Sequence, residues 1–169
     1  MKRKQSGFTL IELLTTIIFL SVLSVTAAPK LTGVSSGAYI NQLKSLKATI
    51  TSSQQIAHTK AVIANVEDYP YVRLPVLTNV KTTFRFGYPA ANYNGIGYLI
   101  DGLDNPDNWA FVGTTRSPHV FYITFSSKVD SINTSMDIGK ITRSECYLKY
   151  EDVAVKGEKP KITLVVDKC

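Results

Sequence analysis

The amino-acid sequence predicts an α+β protein. A long N-terminal α-helix packs on an antiparallel β-sheet of about four strands, and a disulfide closes a C-terminal loop. Three observations predict this arrangement: an apolar stretch from residue 8 to residue 28, an amphipathic helical pattern from 40 to 64, and short strand-like runs from Tyr98 onward. The 169 residues are enough for one ordinary domain and an appendage.

The first predicted element is an apolar helix that follows a short basic segment. Three cations occupy positions 2–4, and the 21 residues from Phe8 to Ala28 contain a single charge, Glu12. A helix of 21 residues rises roughly 31 Å, which is about the thickness of the hydrocarbon core of a bilayer. The basic end is expected to stay in the cytoplasm.

Three interpretations of this segment compete. It is a plain membrane anchor, a secretory signal peptide cut near Ala27, or a leader that is cut before the apolar stretch so that the stretch is retained. Glu12 favours the third, because the apolar region of an ordinary signal peptide would carry no charge. A charge at the centre of a membrane span costs ~2.5–3.5 kcal/mol on insertion scales, and less near its end, so Glu12 is a candidate for a specific partner. Pro29 also favours it, because signal peptidases generally reject proline directly after the cut.

Residues 4–14 resemble the processing motif of type IV prepilins and their pseudopilin relatives. The segment combines a basic leader, the pair Gly7-Phe8, and Glu12 four residues after Phe8. The resemblance implies cleavage between Gly7 and Phe8 and N-methylation of Phe8 by a prepilin peptidase. It further implies a leader peptide at 1–7, a transmembrane and assembly helix at 8–29, and a globular pilin domain at 30–169.

Glu12 has two compatible interpretations. Thr9 and Glu12 fit a capping box, in which the carboxylate bonds back to a backbone N–H at the helix start, and a negative charge suits that end of a helix. The resemblance implies an assembly role instead, in which Glu12 pairs with the amine of Phe8 on a neighbouring subunit. A cap in the monomer can become an intersubunit partner in a fibre.

The second half of the helix is amphipathic. An apolar stripe with steps of three, four or seven residues predicts one helix from about Phe8 to about Asn65; the stripe consists of Ile40, Leu43, Leu46, Ile50, Ala57 and Ala61. Pro29 is expected to kink this helix, and Gly33 and Gly37 to soften it. The stripe should pack on the sheet, while His58 is expected on a solvated face.

The remainder of the chain is predicted to supply the sheet. Glu67 to about Gly97 contains many prolines and glycines and is expected to be irregular, with short strands such as Thr82–Phe86. Runs rich in aromatic and β-branched residues predict the strands, which are Tyr98–Ile100, Trp109–Val112, Val120–Phe125, Tyr147–Tyr150 and Ile162–Val166.

Cys146 and Cys169 are the only cysteines and enclose 22 residues. If the domain lies outside the cytoplasm, pairing is the default expectation, and it stabilises the fold by roughly 3 kcal/mol on the chain-entropy model. This loop also resembles the C-terminal disulfide region of pilins, which major pseudopilins usually lack. Residues 25–30 and 86–91 further resemble pilins of the mannose-sensitive haemagglutinin kind.

Other chemistry has little support in the sequence. His58 and His119 have no cysteine, histidine or carboxylate at metal-ligand spacing. The loop with Asp101, Asp104 and Asp107 is a weak calcium candidate, because it lacks the EF-hand pattern. No cofactor, metal or catalytic residue is therefore expected. The net charge of +6 includes the three leader cations and shows no basic stripe, which argues against nucleic acid as a partner.

The resemblance implies a structural fibre subunit and not an enzyme. Its expected partners are copies of itself in a helical homopolymer, a prepilin peptidase, the inner membrane before assembly, and an inner-membrane assembly platform driven by motor ATPases. The product would be an extracellular pilus for attachment, colonisation or biofilm formation. The alternatives are a pseudopilin of type II secretion, a minor pilin, and a secreted disulfide-bonded binding domain.

Overall fold

A computed structural model describes residues 9–76, 81–115, 119–129 and 138–169, with residues 24–35 described by their backbone alone. The chain divides into two compact units, Met1–Ala38 and Tyr39–Cys169. Its two helices and seven strands among the described residues are α1 (Leu10–Ile63), β1 (Val72–Pro75), β2 (Lys81–Arg85), β3 (Tyr88–Pro89), β4 (Trp109–Gly113), β5 (Val120–Phe125), α2 (Ile138–Arg143), β6 (Tyr147–Glu151) and β7 (Lys161–Val165).

The predicted long helix is confirmed as α1, which begins at Leu10 and ends at Ile63. It starts in the N-terminal unit and continues into the C-terminal unit. The kink expected at Pro29 and the softening expected at Gly33 and Gly37 stay predictions.

The part of α1 in the C-terminal unit buries the predicted apolar stripe. Five of the six stripe residues are buried, and Ile40 is half-buried. Ser53 lies on the same face and satisfies its hydroxyl by donating to the backbone oxygen of Leu99 at 3.3 Å. The stripe steps by three, four or seven residues because a helix turns once every ~3.6 residues. This face packs on apolar residues of both sheets, including Phe84, Phe121 and Leu148.

The predicted four-stranded antiparallel sheet is confirmed, with strand order β4-β5-β6-β7. Strand β5 is its most buried strand, and the register aligns Phe111, Ile123 and Leu148 in one row across β4, β5 and β6. Because side chains alternate across a strand, this row faces the main core together with Phe121 and Phe125. The opposite face carries Ala110, which packs with Ile141 of α2 and Val129.

Three parts of the fold differ from the sequence prediction or were missed by it. Tyr98–Ile100 is not a strand, because Ile96–Leu99 forms a short 3-10 helix. Strands β1, β2 and β3 form a second, three-stranded antiparallel sheet, of which the sequence predicted only β2. Helix α2 was not predicted.

Gly95 explains why the chain before the 3-10 helix turns so tightly. A Cβ atom at this position would lie 2.1 Å from the backbone oxygen of Ala90, so only glycine permits the close approach. The Ile96 N–H donates to that same oxygen at 3.0 Å. Tyr98 therefore lies in the 3-10 helix, although its aromatic ring favours a strand.

The two sheets are joined at the end of β6. The buried Tyr150 hydroxyl donates to the Pro89 oxygen at 2.8 Å. The side chain of Asp152 is fully buried; it accepts a hydrogen bond from the Ala91 N–H at 3.2 Å and lies 3.6 Å from Nη1 of Arg85. Tyr150 in β6 and Asp152 just after it thus connect the four-stranded sheet to the region of β2 and β3.

Candidate assembly site at the start of α1

The start of α1 is closed by a reciprocal cap. Thr9 donates both its backbone N–H and its hydroxyl to Oε2 of Glu12, each at 2.9 Å. In return, the Glu12 N–H approaches the Thr9 hydroxyl oxygen at 3.4 Å and the Thr9 backbone oxygen at 3.1 Å. This is the capping box that the sequence predicts, and it satisfies donors that a helix start otherwise leaves to solvent.

The first turns of α1 expose their apolar side chains. Every side chain from Thr9 to Leu23 is exposed, and the exposed fraction reaches 85% for Leu10 and 71% for Phe19. Contiguous apolar surface of this kind marks an interaction site, because monomeric soluble proteins rarely expose it. Within the described part of the chain, no helix combines the length and the apolar character that crossing a membrane requires.

Both predicted processing residues, Gly7 and Phe8, lie outside the described residues, as does the predicted leader at 1–7. The predicted transmembrane helix at 8–29 begins at Phe8 and includes side chains that are not described. Cleavage, methylation and the pairing of Glu12 with Phe8 therefore stay predictions. In the sequence, Glu12 is the fifth residue after the predicted cut.

Residues 2–28 match the family model of the prokaryotic N-terminal methylation motif. This motif is the type IV prepilin signature. The methylation motif supports a type IV pilin-like or pseudopilin precursor, and it implies processing by a prepilin peptidase. It covers 27 of 169 residues, so it characterises the N-terminal segment and not the C-terminal unit. No curated protein and no solved structure significantly matches the chain.

The predicted disulfide is formed between Cys146 and Cys169, whose Cα atoms are 4.8 Å apart. Cys146 is buried in the main core directly before β6, and Cys169 packs against that core. Beside the bridge, the Lys168 N–H donates to the Glu145 oxygen at 3.2 Å, and the Lys168 ammonium lies 2.6 Å from the Glu145 carboxylate. The bridge therefore ties the residue before β6 to the residues after β7.

The weak calcium candidate lies in turns of the described residues. No group of three or more histidine, cysteine, aspartate or glutamate side chains comes close enough there to hold a metal ion. Asp101, Asp104 and Asp107 are exposed. The Asp107 N–H donates to the Asn105 side-chain oxygen at 3.0 Å, which is the local bonding expected of turn residues.

The prediction for His58 is wrong. This side chain is half-buried, its Nδ1 lies 2.9 Å from the Gly87 oxygen, and its ring stacks on Tyr88 with centroids 4.1 Å apart. His58 therefore joins α1 to the turn between β2 and β3. In that turn a Cβ on Gly87, whose φ is +80°, would lie 3.0 Å from the Glu67 backbone.

Three groups of the C-terminal unit with shifted pKa values were not predicted from the sequence. Burial raises the pKa of Asp152, although the Ala91 N–H and the Arg85 guanidinium oppose the shift. Burial also raises the pKa of Tyr150 well above its usual value. The hydrogen bond to Glu151 raises the pKa of Lys149. An aspartate directly after a strand is the only sequence signal for Asp152, and turns contain many such residues.

Proposed function

We propose that this chain is the structural subunit of a type IV pilus. A prepilin peptidase cuts it between Gly7 and Phe8 and methylates Phe8, and the mature chain polymerises through its N-terminal helix into a fibre on the bacterial surface. Before assembly the chain is anchored in the inner membrane and is delivered to an assembly platform there. The single observation that carries the proposal is the methylation motif at residues 2–28.

The exposed apolar start of α1 supports this function. An apolar helix surface can be removed from water either by lipid before assembly or by the same helix of other subunits afterwards. Both environments suit side chains such as Leu10, Ile17 and Phe19, which are all more than half exposed. A polymer of identical helices needs no other partner to cover them.

The C-terminal disulfide favours a pilus subunit over a major pseudopilin. Pseudopilins of type II secretion carry the same methylation motif, so the motif alone does not separate the two. The Cys146–Cys169 bridge resembles the C-terminal disulfide of pilins, which major pseudopilins usually lack. Attachment, colonisation or biofilm formation would be the role of the fibre.

The resemblance of residues 25–30 and 86–91 to pilins of the mannose-sensitive haemagglutinin kind supports a finer proposal. The fibre would belong to that kind of pilus. Agglutination of red cells by filaments of this chain, and its inhibition by mannose, is the measurement. Filaments that agglutinate no red cells would contradict this subclass without affecting the broader proposal.

Mass spectrometry of the mature N-terminus tests the proposed function most directly. A chain that begins with methylated Phe8 and is recovered in abundant surface filaments supports a pilus subunit. The same N-terminus without filaments points to a pseudopilin or a minor pilin. An N-terminus near Ala28 points to a secreted domain and would refute the proposal.

The residue before the cut supplies a sharper prediction. In Gly7→Val, the precursor should stay uncleaved in the inner membrane, because the peptidase must accommodate a residue without a side chain beside the membrane surface. Immunoblotting of membrane fractions measures the length of the chain. Ser6→Ala, one residue earlier, is the matched control and should be cut normally. Mature chain from Gly7→Val at wild-type level would show that glycine is not required.

A further inference from the structure

We propose that a groove on the C-terminal unit receives the loop between β6 and β7 of a second copy of this chain. This inference rests on the proposed function, because it assigns a contact between neighbouring subunits of the fibre. The groove has a volume of about 540 Å³ and is lined by residues that include Tyr39, Leu46, Asp101, Asp107, Trp109 and Phe125.

One wall of the groove is aromatic. The rings of Trp109 and Phe125 stack with centroids 4.9 Å apart, and the ring of Tyr39 lies 4.7 Å from that of Phe125. Trp109 is half-buried and Phe125 is buried. Aromatic side chains offer a large contact surface at small entropic cost, and they are enriched where proteins bind each other.

The rim of the groove is acidic. Asp101 and Asp107 are exposed, no basic side chain lines the groove, and neither carboxylate forms an ion pair with any described residue. This rim contrasts with the C-terminal unit as a whole, in which 15 lysines and arginines outnumber 12 aspartates and glutamates. The groove therefore suits a guest that combines a cation with an apolar side chain. The Lys128 ammonium already lies 4.7 Å from the centre of the Tyr39 ring.

The loop between β6 and β7 has that combination. Val155 is 54% exposed, and Lys159 is exposed and forms no ion pair with the described residues. Lys156 anchors the loop to Asp68 at 2.7 Å. Gly157, with a φ of +89°, permits the reversal of the chain between these side chains. The loop thus presents an apolar side chain and an unpaired ammonium from an anchored turn.

The groove and the loop lie at different ends of the α1 segment in the C-terminal unit. Residues Tyr39–Thr49 supply the helix side of the groove, whereas Lys156 and Lys159 line a cleft together with His58. Gln42 and His58 are 16 positions apart, which corresponds to roughly 24 Å along a helix. Such a contact joins two different surfaces of identical copies. If the rotation that relates one copy to the next does not close a ring, the contact repeats and yields an open filament.

Disulfide trapping tests whether the two surfaces meet. In filaments of Asp107→Cys/Lys159→Cys, a mild oxidant should link the subunits into a ladder of multimers on a non-reducing gel. Each single variant should yield no ladder, and Ser52→Cys/Lys159→Cys, in which the first cysteine lies on an exposed position of α1 outside the groove, is the matched control. Thermal melting of each variant confirms that the fold and the native disulfide are retained.

Charge reversal tests whether the contact stabilises the fibre. Asp107→Lys and Lys159→Asp should each lower filament yield at least about twofold, since an exposed ion pair is lost and a repulsion replaces it. The two changes combined in one chain should restore the yield. Lys44→Asp/Asp167→Lys is the control for altered surface charge, because both side chains are exposed, form no ion pair with the described residues and lie outside the groove lining and the loop.

The outcomes separate this inference from the proposed function. A ladder together with restored yield supports the contact. Wild-type filaments without a ladder, or with no rescue by the exchanged charges, would exclude a second copy as the occupant and leave the groove to another partner. If the wild-type chain forms no filaments at all, the proposed function itself is refuted.

Discussion

At the scale of single residues, the hydrogen bonds of Glu12 separate two roles that the same carboxylate can have. Within the chain it accepts from Thr9, whereas in a fibre core without water it would need a cationic partner. We predict that Glu12→Ala leaves the membrane content of the precursor intact and strongly reduces surface filaments. Loss of one member of a buried pair costs roughly 3–5 kcal/mol. Quantitative microscopy of filaments, together with immunoblots of membranes, measures both.

Two control variants distinguish pairing from capping. Thr9→Val removes the hydroxyl of the cap but keeps the charge on Glu12, so it should weaken only the helix end by ~0.5–2 kcal/mol and leave filaments near wild-type number. Glu12→Gln keeps an oxygen that can accept the cap hydrogen bonds but removes the charge, so it should lose filaments. Abundant filaments from Glu12→Gln would show that the carboxylate acts only as a cap.

Burial of the Asp152 carboxyl group should make the free energy of unfolding depend on pH. Its pKa is raised above 3.8 in the folded protein because the carboxyl group is buried, so folding favours the protonated form. The stabilisation is complete below pH ~4 and is lost as the pH rises through the raised pKa. Relative to Asp152→Asn, the wild-type protein should therefore lose unfolding free energy as the pH rises from 3 towards neutrality. Urea unfolding at several pH values measures the difference.

The groups around Asp152 provide the control for that titration. Arg85 and the Ala91 N–H favour the charged carboxylate, as does His119, and they limit the rise of its pKa. In Arg85→Met the loss of stability should extend to higher pH, because one of these opposing cations is gone. A free-energy difference between wild type and Asp152→Asn that stays constant from pH 3 to 8 would contradict the assignment.

Residues were predictable from the sequence where their role is local. The cap of Glu12 depends on a spacing of three residues, and the pairing of Cys146 with Cys169 follows because the chain has no other cysteine. His58 was placed wrongly because its partners, Gly87 and Tyr88, are about thirty positions away. Asp152 was missed for the same reason, since its partners are Arg85 at the end of β2 and Ala91 shortly after β3.

At the scale of elements, the C-terminal disulfide should contribute much of the stability of β6 and β7. We predict that Cys146→Ser lowers the free energy of unfolding by about 3 kcal/mol, because the bridge closes a 22-residue loop. Filament yield should fall with it. Chemical denaturation of the purified chain gives the free energy, and thiol titration of native filaments reports the oxidation state.

Glu145→Gln is the matched control for the disulfide. It removes the exposed ion pair between Glu145 and Lys168 beside the bridge, which should cost at most about 1 kcal/mol. An equal loss in the two variants would mean that the ion pair and not the covalent link holds this region. Two free thiols in native filaments would contradict the bridge itself.

Elements with a long periodic pattern were predictable, and short ones were not. Helix α1 and strands β4 to β7 have clear patterns over five or more residues. Strand β1 has four residues and ends at Pro75, and β3 has only Tyr88 and Pro89. The second sheet was not predicted because these strands are short and contain proline, which is uncommon in strands. The 3-10 helix at Ile96–Leu99 depends on the contact between Gly95 and Ala90, which a local pattern does not contain.

At the scale of the whole molecule, assembly and folding should be separable, because the chain forms two compact units. We predict that Ile17→Asp abolishes filaments and leaves the melting temperature of the C-terminal unit unchanged. Ile17 is 55% exposed, so its replacement disturbs no core contact of that unit, whereas a charge in an apolar fibre core is costly. Circular dichroism and filament counts measure the two effects.

Ile17→Val is the control for that variant, because it keeps an apolar side chain of similar shape and should assemble normally. A large fall in melting temperature in Ile17→Asp would show that the two units do not fold separately. The sequence motif at residues 2–28 predicts where assembly begins. The groove that we propose as a subunit contact follows only from the folded arrangement of distant residues.

The position of Trp109 makes its intrinsic fluorescence a probe of folding. It is the only tryptophan in the chain, its ring stacks on Phe125, and it shares a groove with α1 residues from Tyr39 to Thr49. Its fluorescence emission therefore reports the docking of α1 on the four-stranded sheet, while the N-terminal unit contributes no tryptophan signal. Unfolding of the C-terminal unit can thus be followed without any label, even when the apolar helix is held in detergent.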